Sequence, residues 1–345
     1  MRFRAISVLV VLGLVGGLPI SGLPQVRKIV SEEFMVTSSD PGIKLFVRNK
    51  HLEGESKFTE ERILLFVHGA TYPSETGFDI PLGGISWMDF MAQRGWDVYI
   101  TDVRGYGRST RPPEMDQPPD KNPPFAHTDA AIKDVSSVVE HLLKRRGVQK
   151  INLLGWSWGT TIMGAYTAKN NEKVRRLVLY APLWLLKEPP PIGGQVSLGA
   201  YRTVTADSAR QRGLRGITQD RQEEISPKAW FEKWWEANLA TDPMGAKQEP
   251  PVLRAPNGII EDLRKYWMSG KPYYEPSEIE VPTLVILAEW DQDTPLYMAQ
   301  EVFQKLTKPK VKRMVVIGEG THAVALEKNR LQLFRETALF LEEEH

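Results

Sequence analysis

Gly155-Trp156-Ser157-Trp158-Gly159 sets a serine between two glycines. The apolar run Lys150 to Leu154 precedes it, and small and apolar residues at helical spacing follow from Thr160 to Ala168. A G-x-S-x-G between a strand and a helix turns so tightly that the serine hydroxyl projects from the sheet, and its glycines let backbone pass where a Cβ would collide. The chemistry this suggests is nucleophilic. A serine hydroxyl attacks at neutral pH only with a base within hydrogen-bond reach, and that base needs an acid to orient it. Of the six histidines, His322 is the expected base, because it lies in the Gly-rich loop that follows the strand-like run Lys312 to Ile317. Such loops gather at the carboxyl edge of a sheet, where ligands bind. His345 is terminal, His141 lies in a helical pattern, and His51 lies in a polar turn region. His127 precedes a helix, where capping is expected, and His68, directly after a strand, is expected to hold its own loop by hydrogen bonds.

The acid is expected from Leu287 to Pro295, again directly after a strand. Asp291 is the first choice, Asp293 the second and Glu289 the least suited, with the losing carboxylates left to cap the loop or the next helix. The order Ser157, Asp291, His322 is the chain order expected of a nucleophile elbow with its partners. A tetrahedral intermediate also needs donors for its oxyanion. The Trp158 amide, next to the nucleophile and at a helix N-terminus, is one. The other is expected in the loop His68-Gly69-Ala70-Thr71, from Ala70, with Thr71 as the alternative.

The elements that must position these residues alternate along the chain. Near-continuous apolar runs, of the kind buried on both faces of a parallel sheet, occur at 62–67, 96–101, 151–154, 177–180, 283–287 and 312–317. Helical patterns fall between them at 86–94, 128–146, after Ser157, at 296–306 and at 329–341. Alternation of this kind implies right-handed crossovers and a largely parallel sheet, with a β-hairpin between about Val26 and Arg48 adding antiparallel strands at one edge. From Pro182 to Pro282 no clear buried strand occurs. That interval holds Pro189-Pro190-Pro191, a polar run from Arg210 to Glu224, helical segments at 228–239 and 259–269, and many aromatics. The expected organisation is therefore a core of residues 26–182 and 282–345, with a helical cap of 183–281 inserted into it. Most cap aromatics are expected to pack cap on core. Thr71, Trp156, Trp234 and Trp267 are the candidates for substrate contact.

The 345 residues carry 44 basic and 43 acidic side chains, a formal net charge of +1, which makes no electrostatic case for nucleic acid or an anionic surface. Cysteine is absent, which excludes disulfides, thiolate chemistry and cysteine-based metal sites. No metal or organic cofactor is expected, and the partner is a small-molecule substrate. Arg2 and Arg4 followed by the apolar stretch Ala5 to Val15 and the break from Gly16 to Gly22 suggest a targeting segment too short to span a bilayer. Residues 1–22 are thus expected to be a signal peptide for export, with an uncleaved anchor, and hence membrane contact, as the alternative.

From about residue 30 to 343 the chain resembles the capped α/β-hydrolases. The resemblance rests on the elbow, on His68-Gly69, on the segment Asp102-Val103-Arg104-Gly105-Tyr106-Gly107-Arg108-Ser109, on the acid loop from Asp291 to Pro295 and on Gly320-Thr321-His322. It implies an α/β fold, an eight-stranded, mostly parallel, doubly wound sheet with an inserted cap, and a serine hydrolase. In that family the acid is the aspartate four residues before the proline, which favours Asp291. Haloalkane dehalogenases and epoxide hydrolases carry aspartate where Ser157 stands, which argues against both. The tryptophan after the serine resembles prolyl iminopeptidases, yet Gly69-Ala70-Thr71-Tyr72 departs from their proline-bearing Gly-rich run. The expected activity is hydrolysis of a small or medium, apolar or aromatic carboxylic ester. The alternatives are a prolyl iminopeptidase-like aminopeptidase, an amidase or lactonase, or a non-catalytic receptor that binds a ligand under the cap.

Overall fold

The computed structural model describes residues 27–187 and 198–344, so residues 1–22, expected to be a targeting segment, the triproline and His345 lie outside the described residues. In chain order the strands are β1 (Ile29–Thr37), β2 (Lys44–Leu52), β3 (Ile63–Val67), β4 (Asp97–Thr101), β5 (Ile151–Trp156), β6 (Val174–Tyr180), β7 (Tyr201–Thr205), β8 (Val252–Pro256), β9 (Thr283–Ala288) and β10 (Lys312–Ile317). Eight of them form one sheet in the order β1-β2-β4-β3-β5-β6-β9-β10. β2 runs antiparallel to both its neighbours, and every pairing from β4 to β10 is parallel. Five of the six apolar runs are buried as expected, with β3, β4, β5 and β9 covered along their whole length, whereas β10, at the sheet edge with one neighbouring strand, is only partly buried, which corrects that expectation.

Helices cover both faces. Thr128–Arg146, Trp158–Lys169 and Leu296–Lys305 pack on one side of the sheet, in a core that includes Val135, Leu142, Ile162 and Val302. Trp87–Gln93 and Arg330–Glu342 pack on the other, around Trp87, Met91, Phe334 and Phe340. Ser86 closes a capping box at the start of Trp87–Gln93. Gly147, at φ 66°, ends the helix Thr128–Arg146 in the left-handed conformation that glycine adopts without strain.

The interval between β6 and β9 is largely helical, with Ala206–Gly213, Lys228–Ala240 and Gly258–Lys265 as its longer helices. It differs from the expectation in one respect. β7 and β8 pair antiparallel as a separate two-stranded ribbon. Each carries an arginine and is only five residues long, so neither shows the apolar run that marks the main sheet. Asp242 explains how Arg254 is tolerated there: its carboxylate accepts the Arg254 backbone N–H at 2.9 Å and the Arg254 Nη2 at 2.6 Å. A buried guanidinium satisfied in this way avoids the cost of an unpaired charge.

Candidate active site

Both glycines flanking Ser157 are required by close backbone contact. A Cβ on Gly155 would lie 2.1 Å from the Gly159 carbonyl oxygen, and one on Gly159 would lie 2.5 Å from that of Val67. Ser157 itself is held at φ 56°, ψ −118°, a costly conformation for a residue with a side chain, and the helix Trp158–Lys169 starts directly after it. Its backbone N–H is anchored on the Tyr180 carbonyl at 2.9 Å. The elbow therefore places the hydroxyl at the carboxyl edge of β5 and the Trp158 amide at a helix N-terminus, where the first amides lack intrahelical acceptors.

His322 follows β10, and its Nδ1 lies 2.8 Å from Asp291 Oδ2. Asp291 is buried and closely held: its Oδ1 accepts the backbone N–H groups of Asp293 at 2.9 Å and Thr294 at 2.8 Å, and its Oδ2 accepts the Thr294 hydroxyl at 2.8 Å. An acceptor so placed fixes Nδ1 as the protonated nitrogen and leaves Nε2 free to act as a base. The His322 backbone is fixed as well. Its carbonyl accepts the Tyr180 hydroxyl at 2.9 Å and the Trp156 Nε1–H at 3.2 Å, and the two rings stack on each other at 5.5 Å. One residue earlier, Thr321 donates its backbone N–H to Glu327 at 3.0 Å, and its hydroxyl donates to the same carboxyl. Burial pushes the Glu327 carboxyl up to about 7.

The loop after β3 is held by His68, as expected, and by residues of the segment Asp102 to Ser109. His68 is fully buried, and burial lowers it to about 4, so it is neutral at pH 7. Its Nε2 accepts the Val103 N–H at 3.2 Å, which leaves Nδ1–H to donate to the Gly69 carbonyl at 2.7 Å. The Ala70 carbonyl accepts the Tyr106 hydroxyl at 2.8 Å and Arg202 Nη2 at 2.6 Å. Gly69 lies against the nucleophile, since a Cβ there would meet Ser157 Cβ at 3.1 Å. The segment from Asp102 to Ser109 thus supports the loop in which the Ala70 donor was expected.

Ser157 and His322 face one chamber of about 850 Å³, continuous with solvent, between the sheet edge and the cap. Thr71, Trp156 and Trp234 line it, whereas Trp158 and Trp267 do not. Trp158 is buried beneath the elbow with its Nε1–H on Thr128 Oγ1 at 3.0 Å, so its indole walls nothing. Trp267, expected among the substrate contacts, is fully buried and stacks on Tyr273 at 5.9 Å, which corrects that expectation. The sequence reading missed Tyr72, Trp230, Phe231 and the arginines Arg210 and Arg212, all of which line the chamber. A polar run at 210–224 gives no local sign that it folds over the site. Asp293 does not cap the next helix: its Oδ2 accepts Arg212 Nε at 2.7 Å, and Arg215 pairs with its other oxygen. Glu289 Oε2 accepts the Glu319 N–H at 3.1 Å, away from His322.

The chain matches the alpha/beta hydrolase fold family over residues 62–329. It is 25% identical over 325 residues to the serine hydrolase BPHL of Mus musculus, covering 90% of this chain and 89% of that one. Its fold resembles 2-hydroxy-6-oxo-6-phenylhexa-2,4-dienoate hydrolase from Rhodococcus sp. strain RHA1, with a TM-score of 0.61 and 15% identity, over 92% of this chain and all of that one. It also resembles a serine hydrolase involved in carbazole degradation, with a TM-score of 0.59 and 16% identity, over 90% and 99% of the two chains. The chain belongs to the α/β-hydrolase fold family.

Proposed function

We propose that this α/β-hydrolase cleaves carboxylic esters through a serine-bound acyl intermediate. The observation that carries the reading is the His322 Nδ1 to Asp291 Oδ2 bond of 2.8 Å, in a chamber that His322 shares with a serine held at φ 56°. Ser157 Oγ attacks the ester carbonyl while His322 Nε2 takes its proton. Asp291 stabilises the imidazolium without itself taking the proton. The Trp158 and Ala70 amides donate to the oxyanion. Collapse of the tetrahedral intermediate breaks the bond to the alcohol, which leaves with the proton from His322. Water, deprotonated by the same imidazole, then attacks the acyl carbonyl and regenerates Ser157.

An aminopeptidase would need a carboxylate in the chamber for the substrate ammonium. Asp293 is engaged by two arginines and Glu327 by Thr321, while Glu223, Glu232 and Glu236 do not line the chamber but a neighbouring cleft that shares Arg210 and Phe231 with it. These placements favour the esterase. A series of 4-nitrophenyl esters of rising acyl length assayed against aminoacyl anilides tests the choice. Turnover of the esters at rates well above the anilides is expected, and the reverse preference would contradict the reading.

A further inference from the structure

The guanidiniums of Arg210 and Arg212 line the cap side of the chamber. Arg212 and Arg215 both pair with Asp293. Arg202, on β7, donates to the Ala70 carbonyl, to Thr71 Oγ1 at 2.9 Å and to the Pro256 carbonyl at 2.6 Å, and no carboxylate reaches it among the described residues. Arg210 likewise has no ion pair among the described residues. Its Nη1 donates to Ser226 Oγ at 3.0 Å, its Nη2 donates to the Ser226 carbonyl at 2.8 Å, and its guanidinium stacks 5.3 Å from the Phe231 ring centroid. A guanidinium has five N–H donors, so three of those on Arg210 remain free. Burial holds Arg202, Arg210, Arg212 and Arg215 below the usual guanidinium range, and for Arg210 the more distant Glu223 and Glu232 only partly offset it. An anion entering the chamber would relieve that strain.

The other walls say what else the ligand carries. Tyr72 and Trp234 meet edge to face at 4.5 Å, and Trp230, Phe231, Leu82 and Leu326 complete an apolar lining. Neither carboxylate that lines the chamber is free to answer Arg210, because Asp293 is held by Arg212 and Arg215 and Glu327 by Thr321.

Resting on the esterase reading, we propose that the substrate is an ester with an apolar body and a carboxylate at its non-reacting end, received by Arg210 while Ser157 attacks the ester carbonyl. Arg212, which also lines the chamber, adds positive potential while it keeps its pair with Asp293. The arrangement selects monoanionic esters over neutral ones of equal length, because a charge-assisted bond to a guanidinium in a partly dry site is stronger than one made in water.

The test compares monomethyl adipate with methyl hexanoate, two six-carbon acyl chains that differ in the terminal carboxylate. Wild-type kcat/KM is expected to favour the monoanion by about tenfold or more, the scale of one charged hydrogen bond. Arg210→Gln should bring the ratio towards one, with Arg210→Lys in between. Equal or better turnover of methyl hexanoate by the wild type, or a ratio unchanged in Arg210→Gln, would overturn the proposal. Binding to Ser157→Ala, read by tryptophan fluorescence, separates this idea from the esterase reading. Tighter binding of monomethyl adipate than dimethyl adipate supports the anion subsite even if neither ester is cleaved by the wild type, in which case the hydrolysis reading falls alone. Equal binding overturns the subsite even if both are cleaved.

Discussion

Asp291 and Asp293 stand two residues apart, yet one carboxylate meets His322 and the other meets the cap. Asp291→Asn removes the acceptor that sets the His322 tautomer, and kcat is expected to fall by about 10⁴, the scale of the equivalent change in a serine protease. Asp293→Asn loosens Arg212 and Arg215 and should cost far less in kcat, with its main effect on KM. A larger kcat loss at Asp293 would overturn the assignment. Asp291 was legible because its place after a strand and its distance from Pro295 are local features. The partners of Asp293 were not, because an ion pair to a residue about eighty positions away leaves no trace in local spacing. Two buried groups make a second prediction. His68 lies below its ordinary value when folded, so the unfolded chain binds the proton first, and stability falls by about 3 kcal/mol as the pH drops from 6.5 to about 4. Glu327 is raised when folded, so its contribution is complete below 4.5 and is lost, again by about 3 kcal/mol, as the pH rises to about 7. Measured by urea unfolding, the destabilisation caused by His68→Asn should shrink on acidification through the first window. That caused by Glu327→Gln should shrink on alkalinisation through the second. Differences that stay constant with pH would contradict both.

At the scale of elements, the elbow depends on β5 and the following helix meeting without a side chain between them. Gly155→Ala would drive a Cβ to 2.1 Å from the Gly159 oxygen. The expected result is a loss of several kcal/mol of stability or no soluble protein, measured by thermal unfolding, since overpacking against backbone has no flexible side chain to yield. A Gly155→Ala protein with wild-type stability would show that the turn is looser than described. The six apolar strands and five core helices were legible because period and burial are written residue by residue. The ribbon of β7 and β8 was not. It is short, it carries Arg202 and Arg254, and Arg202 is held by Ala70 and Thr71, more than a hundred positions away in the chain. The clamp of Trp156 and Tyr180 on the His322 carbonyl was equally invisible, although Trp156 itself had been singled out by its place beside the nucleophile.

At the scale of the whole molecule, a sheet edge collects the elbow, the acid loop and the base loop, and an inserted segment closes over them with arginines and aromatics. Fold and reaction class were legible because they depend on motifs in a fixed order. The character of the chamber was not, because it is set by how the cap lies on the core. Among the described residues no helix is long and apolar enough to cross a membrane. We propose that residues 1–22 direct export. Fused to alkaline phosphatase, whose disulfides form only outside the cytoplasm, they should give an active reporter, and an inactive one would contradict export. The central claim is that Ser157 is a nucleophile activated by His322 and Asp291, and reaction with a fluorophosphonate probe tests it most directly. The wild-type protein should be labelled at Ser157, as located by mass spectrometry, and Ser157→Ala should not be labelled. A folded protein unlabelled at Ser157, with ester turnover undiminished in Ser157→Ala, would contradict it.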